Sequence, residues 1–156
     1  MQIKTLPFYI LLALIVSLAI LPFSTPYMAI ASFAYLLLLA GFVLRKIQRQ
    51  AHVYLMSTGI VMDLSLVLVL EFQRDAIATA LEFSLTPLQQ AHIAMSSMAT
   101  LLYVPLLIMG TLLYRKGNKY YSLRPWHKKI GIAAFIFRTL GFILMFALIG
   151  HVQPSN

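Results

Sequence analysis

The sequence predicts an all-α fold, a polytopic bundle of five transmembrane helices in a single membrane domain, and three observations carry that prediction. Apolar residues make up 61% of the 156 and charged residues only 10%, against about half and about a quarter in an ordinary soluble domain. Five apolar runs approach the length of about 20 residues that a helix needs to cross the hydrocarbon layer. The bases cluster between those runs, where a membrane topology would place them on one side. A mean hydropathy of +0.87 excludes both a soluble globular enzyme and a disordered tail. The absence of cysteine excludes disulfides, thiolate metal sites, cysteine nucleophiles and iron–sulfur ligation.

The first span is read over residues 7–23. Ser17 and Ala19 resemble the small-residue pair of a secretory cleavage site, but they lie inside the apolar run, so the segment reads as a retained anchor. Thr25-Pro26 is an N-cap followed by a first-turn proline and opens a second span over 26–44, in a tight hairpin with the first. The third span covers 52–70. Thr86-Pro87 repeats the cap signal and opens the fourth, 87–113, which carries Pro105, a residue that removes a backbone donor and favours a kink. The fifth covers 130–149. Within 72–85, Ile77, Leu81 and Leu85 recur every fourth residue, which predicts a short amphipathic helix lying in the interface.

Charge sets the orientation. Lys4, the trio Arg45, Lys46 and Arg49, and Arg115, Lys116, Lys119, Arg124, Lys128 and Lys129 fall on one side. Arg74 stands with Glu71, Asp75 and Glu82 on the other. The positive-inside rule makes the basic side cytoplasmic, so the N-terminus is inside and the C-terminus outside. The net charge of +8 therefore reads as topology and contact with anionic lipid rather than as nucleic-acid binding. Tyr120, Tyr121 and Trp126 read as an interfacial belt.

Two formal charges lie within the spans, Asp63 and Arg138. A charge at mid-membrane is costly and normally faces a partner, and arginine keeps its proton. His52 to Asp63 is eleven residues, and so is His127 to Arg138. Eleven residues are three helical turns, about 16 Å, so each pair shares a face. Spans three and five run the same way, which predicts His52 opposite His127 and a core ion pair of Asp63 with Arg138. Tyr103, eleven residues beyond His92, would place its hydroxyl at the same depth. Such a pair either fixes helix register or relays a proton or ligand. Met56 and Gly59 continue the face of span three; Gly131, Ala134, Gly141 and Met145 continue that of span five.

All four histidines sit at span ends. Imidazole ligates haem iron, copper and zinc, and helical bundles build such sites from side chains on facing helices. His52 with His127 is a candidate bis-imidazole site for haem b, with nearby bases to neutralise propionates. On the outer side, His92, His151 and Glu71 are candidate ligands of a harder N/O site for zinc, copper or iron. The plainer alternative is that each histidine bridges headgroups and water. No phosphate loop, nucleophile elbow or zinc-protease motif occurs, so no catalytic residues are assigned.

The stretch from Arg45 to Gly141 resembles a small multi-histidine bacterial membrane family, some of whose members act in maturation of haem–copper terminal oxidases. The likeness rests on a basic loop followed by His52-x-x-x-Met56, on His92 with Pro105 later in its span, and on His127-Lys-Lys with Thr139 and Gly141 downstream. It implies metal or haem ligation by His52, His92 and His127, a bacterial inner-membrane location and respiratory oxidase subunits as partners. The chain is also similar to cytochrome b561-type cores, in which histidine pairs hold haem. The reading is thus a haem- or metal-binding protein of respiratory electron transfer or oxidase assembly. The alternative is a non-catalytic accessory subunit of a larger membrane complex.

Overall fold

The computed structural model describes residues 6–20, 25–74, 78, 85–116 and 119–149. Among them it contains five α-helices: α1 (Leu6–Ile20), α2 (Pro26–Leu44), α3 (Arg49–Arg74), α4 (Pro87–Arg115) and α5 (Arg124–Ile149). A single 3-10 turn, Tyr121–Leu123, leads into α5, and no strand occurs among these residues. Four segments are long and apolar enough to cross a membrane: Pro26–Leu44, Arg49–Gln73, Pro87–Arg115 and Tyr121–Leu148. Helix α1 is apolar but has only 15 residues, about 22 Å against a hydrocarbon layer of about 30 Å.

Both cap signals operate. Thr25 Oγ1 accepts a hydrogen bond from Met28 N at 3.3 Å. Thr86 Oγ1 accepts from Gln89 N at 3.4 Å while Gln89 Oε1 accepts from Thr86 N at 2.9 Å, a reciprocal capping box that satisfies two otherwise orphaned donors. Helix α4 runs on through Pro105. Helix α3 begins before the apolar run and continues through Phe72, Gln73 and Arg74, the first residues of the expected surface helix. The rest of that segment, apart from Ala78 and Leu85, lies outside the described residues.

The chain divides into two compact units, Met1–Glu82 and Phe83–Asn156. In the first, α1 packs on α2 and α2 on α3. The α2–α3 connection, Arg45–Gln48, is four residues long, short enough to force an antiparallel hairpin. Ala13, Leu37, Leu44, Ala51 and Leu55 form the core of this unit. In the second, α4 packs on α5; the unit's buried residues include Ala99, Tyr103, Leu106, Ala134 and Arg138. Small residues on α2, among them Ala31, Ser32 and Ala34, allow the close backbone approach that membrane helices rely on. Two buried hydroxyls are satisfied within their own helices, Ser17 by Ala13 O and Ser32 by Met28 O, both at 2.7 Å. Large apolar side chains such as Leu101, at 68% exposure, and Ile143, at 58%, face outward, where lipid rather than water would solvate them.

Candidate functional site: histidines clasped to glycine carbonyls

His52 is the fourth residue of α3, and its Nδ1 lies 2.8 Å from the carbonyl oxygen of Gly41 near the end of α2. A carbonyl only accepts, so Nδ1 carries the proton and Nε2 of the neutral ring keeps its lone pair. Gly41 leaves little room at this contact. A Cβ there would meet Met56 Cγ and Sδ at 3.0 Å and Leu55 Cβ at 3.2 Å. Two turns beyond His52, Gly59 sits on Leu38 and on the Ala34 carbonyl, and Asp63, 7% exposed, follows one turn later. At the far end of the same hairpin the Tyr27 hydroxyl donates to Gln73 Oε1.

The second unit repeats the arrangement with the roles exchanged between helix ends. His92, near the start of α4, places Nδ1 2.8 Å from Gly141 O on α5. The space above Gly141 is occupied by Ser96, whose Oγ lies 2.6 Å from where a Cβ would be; this buried hydroxyl has no hydrogen-bond partner among the described residues. Arg138, 6% exposed, is one turn before Gly141. At the other end, His127 Cε1 is 3.3 Å from a Cβ built on Gly110, so this imidazole packs against α4.

The polar face of α3 that carries His52, Met56 and Gly59 is therefore turned toward α2. The face of α5 that carries Gly131 and Gly141 is turned toward α4, since Gly131 meets Leu106 and Gly141 meets Ser96. Within the first unit, connection length sets this neighbour: the four-residue loop Arg45–Gln48 brings the preceding helix against α3. His52 and Asp63 belong to the first unit, and His92, Tyr103, His127 and Arg138 to the second. Glu71 lies near the end of α3, half-buried, in a different unit from His92, and His151 lies outside the described residues. Among the described residues no three His, Cys, Asp or Glu side chains form a group suited to a metal. Gly41, Gly110 and Ser96 entered no sequence-based site. The detectable signal was Gly41 eleven residues before His52 across a short loop. Compared with family models, curated proteins and solved structures, the chain shows no match.

Proposed function

We propose that this chain is a five-span protein of the bacterial cytoplasmic membrane, N-terminus inside and C-terminus outside, that ligates haem b or a transition metal through histidine in respiratory electron transfer or oxidase assembly. The observation that supports it is the state of two imidazoles. Each of His52 and His92 has its Nδ1 proton committed to a glycine carbonyl at 2.8 Å. Neither Nε2 has a hydrogen-bond partner among the described residues. A ligating histidine commonly donates its other ring N–H to a carbonyl in this way, which fixes ring orientation and raises ligand basicity. The donor chemistry thus fits a haem iron or a borderline metal held by one or two imidazoles. His127 is the further candidate at the basic end, with Lys128 and Lys129 beside it in sequence, and Arg45, Lys46 and Arg49 near His52 would balance propionates. When bound, such a group supplies one-electron chemistry; the protein holds the rings in one tautomer and excludes water with its apolar helices. Glu71 and His151 remain proposed ligands of a zinc, copper or iron site with His92.

The test is the reduced-minus-oxidised absorption spectrum of the purified protein, with elemental analysis. A Soret band or stoichiometric metal that is lost in His52→Ala or His92→Ala is the expected result; a colourless, metal-free protein refutes it. One observation favours a second reading, an accessory subunit of a larger complex. The same two hydrogen bonds tie together the helices of each hairpin, so they also act as structural clasps. In that case the variants lower thermal stability, carry no spectroscopic change, and the wild-type chain co-purifies with its partner.

A further inference from the structure

The second unit has bases without acids. After Glu82 the chain contains no Asp or Glu, while Arg115, Lys116, Lys119, Arg124, Lys128 and Lys129 surround the junction of α4 and α5. Three of these cations lie over aromatic rings: Lys119 Nζ is 5.8 Å from the Tyr120 centroid, and Arg124 Cζ and Lys129 Nζ are each 5.6 Å from the centroids of Tyr121 and Trp126. Arg124 Nη1 also donates to the Tyr121 hydroxyl at 3.3 Å. Tyr121 is 63% exposed and Trp126 61%, so Arg124 and Lys129 are each paired with an exposed aromatic ring. The α2–α3 loop differs. There Arg45 donates to Phe42 O at 2.7 Å and stacks on the Phe42 ring at 3.6 Å, so its charge is engaged by the C-terminal end of its own helix.

We propose that the α4–α5 junction is a binding surface for the phosphates of anionic phospholipid headgroups, with Arg124 and Lys129 each contacting headgroup phosphate and Tyr121 and Trp126 seated at the glycerol level. The inference rests on the membrane reading of the long helices but not on histidine ligation. Two apolar segments end at this junction, which places it at the depth where Trp and Tyr settle and where headgroup phosphates lie. Lipid is favoured over RNA for that reason. Bases near an anionic surface each strengthen attachment, and this cluster has no carboxylate in its own unit to neutralise it.

Trp126 is the only tryptophan, so its fluorescence reports on the surface directly. The full chain, purified in neutral detergent, is titrated with phosphatidylglycerol and, separately, with phosphatidylcholine. A saturable change with phosphatidylglycerol and none with phosphatidylcholine is expected. Arg124→Gln and Lys129→Gln should each weaken it about fivefold, and Lys129→Arg should retain it; circular dichroism checks that each variant is folded. Equal responses to both lipids, or unchanged affinity in both glutamine variants, overturn the proposal. So does saturation by inorganic phosphate or an RNA oligonucleotide at concentrations where the lipid has no effect. Failure of histidine ligation shows instead in the absorption spectrum of the wild-type chain, which the lipid titration does not read.

Discussion

Replacing Gly59 by alanine is expected to open the α2–α3 hairpin, and the same change at Gly131 is not. A Cβ on Gly59 would lie 2.8 Å from Leu38 Cδ2, 2.9 Å from Leu38 Cγ and 3.1 Å from the Ala34 carbonyl oxygen. Leu38 is 2% exposed and has little space to move into, and the carbonyl belongs to the α2 backbone. Overpacking costs about 1–3 kcal/mol, and this environment belongs at the upper end. Against it stands the gain of about 1 kcal/mol from replacing glycine by alanine within a helix. The net loss for Gly59→Ala is then about 2 kcal/mol. A Cβ on Gly131 meets only Leu106 Cδ2, at 3.6 Å, an ordinary contact, so Gly131→Ala keeps the propensity gain of up to about 1 kcal/mol. The two variants should differ by about 3 kcal/mol, roughly a hundredfold in the folding equilibrium. Unfolding in mixed micelles by added dodecyl sulfate, followed by circular dichroism, measures this. In a Leu38→Ala background the penalty at Gly59 should shrink, because most of the clash is removed. Equal stabilities for the two alanine variants, or a Gly59→Ala protein as stable as the parent, would refute the packing described for this hairpin.

Three further outcomes follow from the same structure. Thr86→Ala removes the hydroxyl half of the α4 capping box and should cost about 1 kcal/mol of stability, read by the same titration, while Gln90→Ala leaves the box intact and costs less. Tyr27→Phe deletes the bond to Gln73 and should lose about 0.6–1.7 kcal/mol, the average to the maximum for hydrogen bonds between membrane helices; no loss would show that this end of the hairpin does not depend on it. Asp63 and Arg138 are the two buried formal charges among the described residues. Arg138→Leu leaves the chain with buried charge of one sign, so it should destabilise more than Asp63→Leu combined with Arg138→Leu. Additive losses in thermal melts would show that the two charges do not compensate each other.

Two helix starts are legible because they depend on local chemistry, whereas α5, expected from residue 130, starts at Arg124. Thr25-Pro26 and Thr86-Pro87 specify a cap and a first turn within a few residues, and both caps form. Helix ends were less legible. Hydropathy marks what lipid tolerates, whereas the α3 ladder extends to Arg49 on one side and Arg74 on the other because backbone hydrogen bonds continue through charged turns. The contrast is sharpest for the polar faces. An eleven-residue spacing shows that His52 and Asp63 share a stripe, but spacing carries no information about which neighbour the stripe meets. Within the first unit the connection decides it: Arg45–Gln48 brings α2 against the side of α3 that carries His52. Gly141 was noted as a residue allowing close approach. Its actual neighbour, Ser96 on α4, could not be named without knowing the pairing of α4 with α5.

The two hairpins share a construction that bears on both readings of the histidines. Each opens on Thr-Pro, carries a glycine toward the end of its first helix, turns through a basic loop, and places a histidine fourth in its second helix with a buried charge eleven residues on. In each, that histidine packs against that glycine. A side chain used only to hold helices together would gain as much from an asparagine or glutamine, whose amide donates to a carbonyl equally well. Histidine adds a second nitrogen, free to accept or to ligate once the first is committed. The rings bonded to a glycine carbonyl are His52 and His92, so His92→Asn and His52→Gln separate the two roles. If the hydrogen bond is the whole purpose, either variant should restore most of the stability lost in the alanine change. If the second nitrogen is used, stability should return while the absorbing or metal-bound species does not. Full recovery of that species in the amide variants would rule out ligation by these two rings.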